Sequence, residues 1–301
     1  MNLRLSSLVS IAAATILLAA CATKPAETVA IADPAAAAGR GEYLFNAANC
    51  VGCHTDKAHG GARLAGGGAI ETPFGTYFSR NITPDPTDGI GAWSDADFLH
   101  ALRDGISPHG EHYFSAFPFP AFTLMTDRDI LDIRAYLMTQ PPVAQPNRPH
   151  QVDFPYDVRL SMLFWRALYF EPGPFKPDPA RSAEWNRGAY LARAVSHCAE
   201  CHTTRTALGG LDDARPLGGN KLAGLKGKLA PNISADPKDG IGKWSEDDIA
   251  SLLKSGITPD GDFVTAPMSE VVEGTAKLSD ADRMAIAAYL KTVPAVTGKG
   301  G

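Results

Sequence analysis

The sequence predicts an all-α protein built as two tandem units joined by a Pro-rich, partly helical linker. Three observations predict it. The same string of residues occurs twice along the chain. Each occurrence holds helix-start signals followed by apolar residues at helical spacing. No alternating strand pattern of any length stands out.

The repeat is read directly. Arg40-Gly41-Glu42-Tyr43-Leu44 matches Arg187-Gly188-Ala189-Tyr190-Leu191, and Asn81-Ile82-Thr83 matches Asn232-Ile233-Ser234. Asp88-Gly89-Ile90-Gly91-Ala92-Trp93-Ser94 matches Asp239-Gly240-Ile241-Gly242-Lys243-Trp244-Ser245, and Ala135-Tyr136-Leu137 matches Ala288-Tyr289-Leu290. Each unit spans about a hundred residues, the size of one domain. The expected division is an export signal over 1–20, a tether over 21–37, a first domain over 38–144, a linker over 145–183 and a second domain over 184–297.

The chain opens with Arg4 and an apolar run from Leu8 to Ala20, the pattern of a signal peptide. The run is short of the roughly 20 apolar residues a membrane span needs. It ends Leu18-Ala19-Ala20-Cys21, which resembles the bacterial lipobox. In such proteins cleavage leaves Cys21 as a lipidated first residue. A plain secretory signal, giving a soluble periplasmic protein, and an uncleaved anchor are the competing readings. The Ala- and Pro-containing stretch after Cys21 reads as a flexible tether.

Within each unit, Ser94 with Asp97 and Ser245 with Asp248 have the capping pattern of a helix start. Thr126 with Asp129 and Ser279 with Asp282 repeat it before the last helix. Ile130, Ile133 and Leu137, then Met284 and Ala288, follow at helical spacing, and Pro141-Pro142 and Pro294 stop those helices. Gly41 and Gly188 allow a close helix approach. Tyr43, Tyr136, Tyr190 and Tyr289 read as core packing. The linker holds Val158 to Phe170, with Phe164 and Trp165, and is too apolar to run free. It is expected to pack on one or both units and fix their spacing.

Composition is that of an ordinary globular protein: 301 residues, 45% hydrophobic and 20% charged. A net charge of −5 excludes a basic nucleic-acid footprint and bears mainly on solubility.

The chemistry lies in two stretches, Cys50-Val51-Gly52-Cys53-His54 and Cys198-Ala199-Glu200-Cys201-His202. They use four of the five cysteines; the fifth is Cys21. C-x-x-C-H is the attachment signature of c-type haem. Two thiols add across the vinyl groups of a haem edge, and the following His is placed under the iron as its proximal ligand. A single four-cysteine zinc site leaves both His residues without a role. A thioredoxin-like pair needs one C-x-x-C in a βαβ setting. The expectation is two covalently bound haem c groups, held by Cys50, Cys53, Cys198 and Cys201, with His54 and His202 on the irons and no disulfides. Export agrees, because c-type haem is attached outside the cytoplasm.

On these residues the chain resembles the dihaem and trihaem cytochrome c family. That family includes membrane-associated cytochrome subunits of bacterial alcohol, gluconate and related dehydrogenases. Further matching phrases are Thr72-Pro73-Phe74-Gly75, Asn81-Ile82-Thr83-Pro84-Asp85, Ser182-Ala183-Glu184-Trp185-Asn186-Arg187-Gly188 and Lys277-Leu278-Ser279-Asp280-Ala281-Asp282-Arg283. The dehydrogenase subunits usually carry three haem motifs and a C-terminal anchor; here there are two motifs and a lipobox-like Cys21. The resemblance implies two tandem cytochrome c domains, each with crossing terminal helices, and an electron carrier with no catalytic residues. The implied donor is a periplasmic dehydrogenase of alcohol, gluconate or aldehyde type. The implied acceptor is a downstream cytochrome or oxidase of a respiratory chain. Membrane association through Cys21, on the periplasmic side, and no nucleic-acid partner complete the expectation. The alternatives are a subunit held permanently within such a complex, and a dihaem enzyme using the first haem. The enzyme is peroxidase-like, or thiosulfate dehydrogenase-like; the latter needs a ligating Cys that the chain cannot spare.

The sixth iron ligands follow from the same resemblance. Met268, in Ala266-Pro267-Met268, stands between the middle and final helices, where cytochrome c domains supply a Met. Met284 reads as core. The first unit has Phe117 at the matched position. It resembles family members in which a Phe-Pro-aromatic stretch is followed by a ligating Met, here Met125. Met125 also pairs with Leu278, a packing position; His109, His112 and an open iron remain as further readings. Trp93 and Trp244 border a haem edge or simply pack, and Asn81 and Asn232 face a propionate or form turns. His59, His100, His150 and His197 are expected in surface or satisfied polar roles.

Overall fold

The computed structural model describes residues 33–223 and 228–298. The export segment with Cys21 lies outside the described residues. Helix α1 (Pro34–Ala47) begins where Asp33 accepts hydrogen bonds from the backbone N–H groups of Ala35 and Ala36, with Pro34 in the first turn. The short helix α2 (Cys50–His54) follows a left-handed Asn49. A hairpin of β1 (Ala69–Thr72) and β2 (Gly75–Phe78) comes next, then α3 (Asp95–Asp104), α4 (Phe119–Phe122) and α5 (Asp127–Leu137). Strand β3 (Gln151–Val152) and helix α6 (Ser161–Tyr169) belong to the linker. The second repeat holds α7 (Ala183–Tyr190), a π-helical turn (Leu191–Val195) and α8 (Ala199–His202). It continues with a hairpin of β4 (Asn220–Leu222) and β5 (Lys228–Ala230), then α9 (Glu246–Ser255), α10 (Met268–Thr275) and α11 (Asp280–Leu290).

The structure is mainly helical, as expected, and adds small strands that the sequence did not announce. β1 pairs antiparallel with β2 from Ala69↔Phe78 to Thr72↔Gly75, and the linker strand β3 adds to β2 through Gly75↔Val152. None of the five exceeds four residues. A run that short completes only two alternations, so its period does not stand out in sequence.

The first and last helices of each repeat cross at a glycine. A Cβ at Gly41 in α1 would fall on the Asp132 carbonyl of α5, and one at Gly188 in α7 on the Ala285 carbonyl of α11. Arginine forks brace both crossings. Arg40 donates to both oxygens of Asp132, at 2.6 and 3.0 Å, and Arg187 to both of Asp282, at 2.9 and 2.8 Å.

Capping ties the two repeats together. Ser94 and Ser245 form complete capping boxes with Asp97 and Asp248 at the starts of α3 and α9. Thr126 and Ser279 cap α5 and α11, but their boxes are closed by tyrosine from the opposite repeat. The Ser279 N–H donates to the Tyr43 hydroxyl at 2.9 Å, and that hydroxyl donates to Asp282 at 2.7 Å. Reciprocally, the Thr126 N–H donates to the Tyr190 hydroxyl at 3.2 Å, which donates to Asp129. Tyr43 and Tyr190 therefore carry polar bonds between repeats as well as packing. Tyr136 and Tyr289 pack, on Phe45 and Trp185. One apolar core runs through both repeats, from Leu44, Phe45 and Ile133 to Leu191, Ile286 and Leu290.

The linker is bound on both sides. The Arg159 guanidinium donates to the His112 carbonyl at 2.8 Å, and Met162 packs with Tyr77 and Phe114. On the other side the Trp165 indole donates to the Leu208 carbonyl at 3.0 Å, and the Thr206 hydroxyl donates to the Tyr169 oxygen at 3.0 Å. Among the described residues no helix is long and apolar enough to cross a membrane.

Candidate functional site

The first C-x-x-C-H stretch is α2 and the second is α8 with Cys198 as its N-cap, which places both thiols and the following His along one short segment. Cys50, Cys53 and His54 line a cavity of about 380 Å³. Aromatic and aliphatic side chains make most of its wall, including Tyr77, Phe78, Trp93, Phe114 and Phe117. Polar groups stand at Arg80, Tyr113, His150 and Arg159. The four motif cysteines are not paired with one another.

The two His rings are held alike. His54 Nδ1 lies 2.7 Å from the Arg80 carbonyl, and His202 Nδ1 lies 2.8 Å from the Pro231 carbonyl. A carbonyl can only accept, so Nδ1 carries the proton and Nε2 keeps a free lone pair. Burial pulls both rings below the usual imidazole range, more than the carbonyl bond raises them, and keeps them neutral. A neutral imidazole oriented through its other nitrogen is the form that ligates iron. An apolar cavity, two cysteines at its edge and a His with its Nε2 lone pair free fit a covalently bound haem in the first repeat. The thiols and the oriented His recur in the second. When bound, haem supplies a one-electron iron couple.

The carbonyls are themselves positioned by Asn81 and Asn232. Asn81 is buried; its Oδ1 accepts from the Thr83 N–H at 2.9 Å, and its Nδ2 donates to the Val143 carbonyl at 2.8 Å. Asn232 accepts from the Ser234 N–H at 2.9 Å and donates to the Gly298 carbonyl at 2.9 Å. Both asparagines are turn formers whose bonds are spent inside the protein. They fix the residue just before them, whose carbonyl orients the His54 or His202 ring.

The expected sixth ligands fall in different settings. Met268 is half-buried at the start of α10, against the core. Met125 is 0% exposed in that core. At the first cavity the nearby wall is made by Phe117, Pro118 and Phe122, and Met125 is not among the lining residues. Trp93 borders the cavity, whereas Trp244 packs against the core. His109 lines the cavity; His112 does not, and its Nδ1 is buried without a partner. Sequence reasoning passed over Arg80, Tyr113, His150, Arg159 and His197 as cavity residues. His150 accepts from the Phe78 N–H at 3.1 Å. Burial, then the Arg80 and Arg159 charges, push it down to about 4. None of the five belongs to a repeated phrase, and Arg159 and His150 reach the cavity from the linker, so only the folded chain brings them together.

Comparison with known proteins agrees with this geometry. The cytochrome c family model matches residues 38–141 and 186–294. A dihaem cytochrome c-type protein of Cereibacter sphaeroides is 42% identical over 262 residues, covering 86% of both chains. The fructose dehydrogenase cytochrome subunit of Gluconobacter japonicus is 40% identical over 264 residues, 87% of this chain and 53% of that one. A nicotinate dehydrogenase subunit of Pseudomonas putida is 42% identical over 256 residues, 84% of this chain and 21% of that one. The chain thus spans most of the first of these relatives, about half of the second and about a fifth of the third. It belongs to the cytochrome c family and carries two covalently bound haem c groups as an electron-transfer protein.

Proposed function

We propose that this chain is an exported, lipid-anchored subunit that takes single electrons from a periplasmic dehydrogenase of alcohol, gluconate or aldehyde type and passes them to a downstream cytochrome or oxidase. The observation that carries it is the repeated site: two thiols on one short segment with a carbonyl-oriented neutral His after them, at both His54 and His202. In this reading two cytochrome c domains, 38–144 and 184–297, stand in tandem, joined by the linker over 145–183. Cys50, Cys53, Cys198 and Cys201 form the thioethers, His54 and His202 are the proximal ligands, and Met125 and Met268 are the distal ones.

An apolar strip on the linker supports docking against the dehydrogenase. Phe154, Leu160 and Phe164 are 81%, 71% and 65% exposed. Large apolar side chains left exposed together on one short segment mark an interaction surface. Replacing the three with Ser is expected to abolish co-purification of a dehydrogenase while leaving haem content intact. Full co-purification by the triple variant would remove this surface from the reading. Anchoring rests on Cys21: Cys21→Ser protein should leave the membrane fraction, and its retention there points instead to an uncleaved anchor or a tight protein partner.

A further inference from the structure

The second repeat holds one residue that its first-repeat counterpart does not mimic. Cys50 lies nine positions after Gly41, but Cys198 lies ten after Gly188. The extra residue is absorbed as the π-helical turn Leu191–Val195, where the Ser196 N–H donates to the Leu191 carbonyl, five residues back, at 2.7 Å. Such single-turn bulges within helices occur frequently at functional sites.

The turn delivers His197. Both residues that precede a first motif cysteine are left-handed, Asn49 with φ 49° and His197 with φ 39°. The conformation is a requirement of the bend into the motif, and Asn and His tolerate it better than most residues. The side chains then diverge. Asn49 turns back on its own motif, where a Cβ at Gly52 would meet its amide at 2.5 Å. His197 reaches across to the other repeat. Its Nε2 lies 3.3 Å from the Ala48 carbonyl, its ring meets Phe122 edge-on at 5.4 Å, and it lines the cavity that holds Cys50, Cys53 and His54. It is bonded in sequence to Cys198, so the residue that touches the first haem site stands next to the first cysteine of the second.

We infer that His197 is the positioning residue that couples the two haem sites for electron exchange. The inference rests on the dihaem reading above. The exchange is balanced within the chain: one electron leaves a ferrous iron and reduces the ferric iron of the other site, with no proton or leaving group moved. His197 sets the juncture by pinning the entry to the second motif onto the end of α1, beside the entry to the first.

The test is intramolecular electron equilibration after flash photoreduction of the full chain. His197→Asn is the chosen variant, because Asn49 shows that Asn holds this backbone conformation. The expected result is a severalfold slower exchange, with two haems per chain and both midpoint potentials unchanged. An unchanged rate overturns the inference, and so does a slowing that tracks a shift in either potential. One haem per chain in the wild type, by pyridine haemochrome, overturns the dihaem reading instead. Should His197→Asn lose a haem, Phe122→Leu removes the ring against which His197 packs. Slowed exchange there supports the role, and wild-type exchange refutes it.

Discussion

At the scale of residues, the two methionines make a controlled pair. Met268 stands half-buried at a helix start, and Met125 is sealed in the core beside the wall formed by Phe117 and Phe122. If each ligates one iron, oxidised protein shows a methionine–iron charge-transfer band, and Met125→Ala and Met268→Ala each remove about half of it. A Met125→Ala protein that keeps the full band and merely loses stability, by about 2–5 kcal/mol, would identify Met125 as core alone. The motifs were legible in sequence because C-x-x-C-H is a local pattern whose chemistry demands that spacing. The carbonyls of Arg80 and Pro231 were not, because any residue has a carbonyl and only the fold decides which one faces a ring. Asn81 and Asn232 were legible as turn formers, but their service to those carbonyls was not. Nothing in sequence marked Arg80 or Arg159 as facing one cavity.

At the scale of elements, the helix crossings turn on single glycines. Gly41→Ala forces a methyl group onto the Asp132 carbonyl, and Gly188→Ala onto that of Ala285. Each is expected to cost about 1–3 kcal/mol, read as a lowered melting temperature. Gly39, in the same helix as Gly41, has nothing within 4 Å of an added Cβ. Gly39→Ala is therefore expected to stabilise by about 0.5–1 kcal/mol. Equal effects at Gly39 and Gly41 would show that α1 and α5 do not cross so closely. Helix starts and crossings were readable, since caps and glycines are written locally. The hairpins were not: β1 and β2 need each other and the linker strand β3 to exist, and the chain returns to β2 only after 72 residues, where His150 meets Phe78.

At the scale of the molecule, the crossed tyrosines make stability depend on acid. Burial alone would raise the Asp282 carboxyl, but hydrogen bonds from Arg187 and Tyr43, with the Arg187 charge, hold it below the usual carboxylate range. A depressed carboxylate contributes stability above its unfolded pKa, about 4, and loses it as pH falls through the folded value. Asp282→Asn is expected to cost about 2 kcal/mol at pH 7, with the gap to wild type closing below about pH 4. A gap that persists into acid would assign the loss to packing rather than to charge. The repeat announced two units, and nothing in the string said that each would finish the other's helix caps.

That exchange has a consequence for how such a chain is built. Residue i of one half meets residue j of the other while j of the first meets i of the second, which is the signature of an isologous contact, ordinarily found across the dyad of a homodimer. Here the dyad lies inside a single polypeptide. The linker then acts as a tether that keeps the two halves at high effective concentration, replacing an encounter between separate molecules. Once the halves are fused they are free to diverge, and His197 standing where the other half has Asn49 is the mark of such divergence.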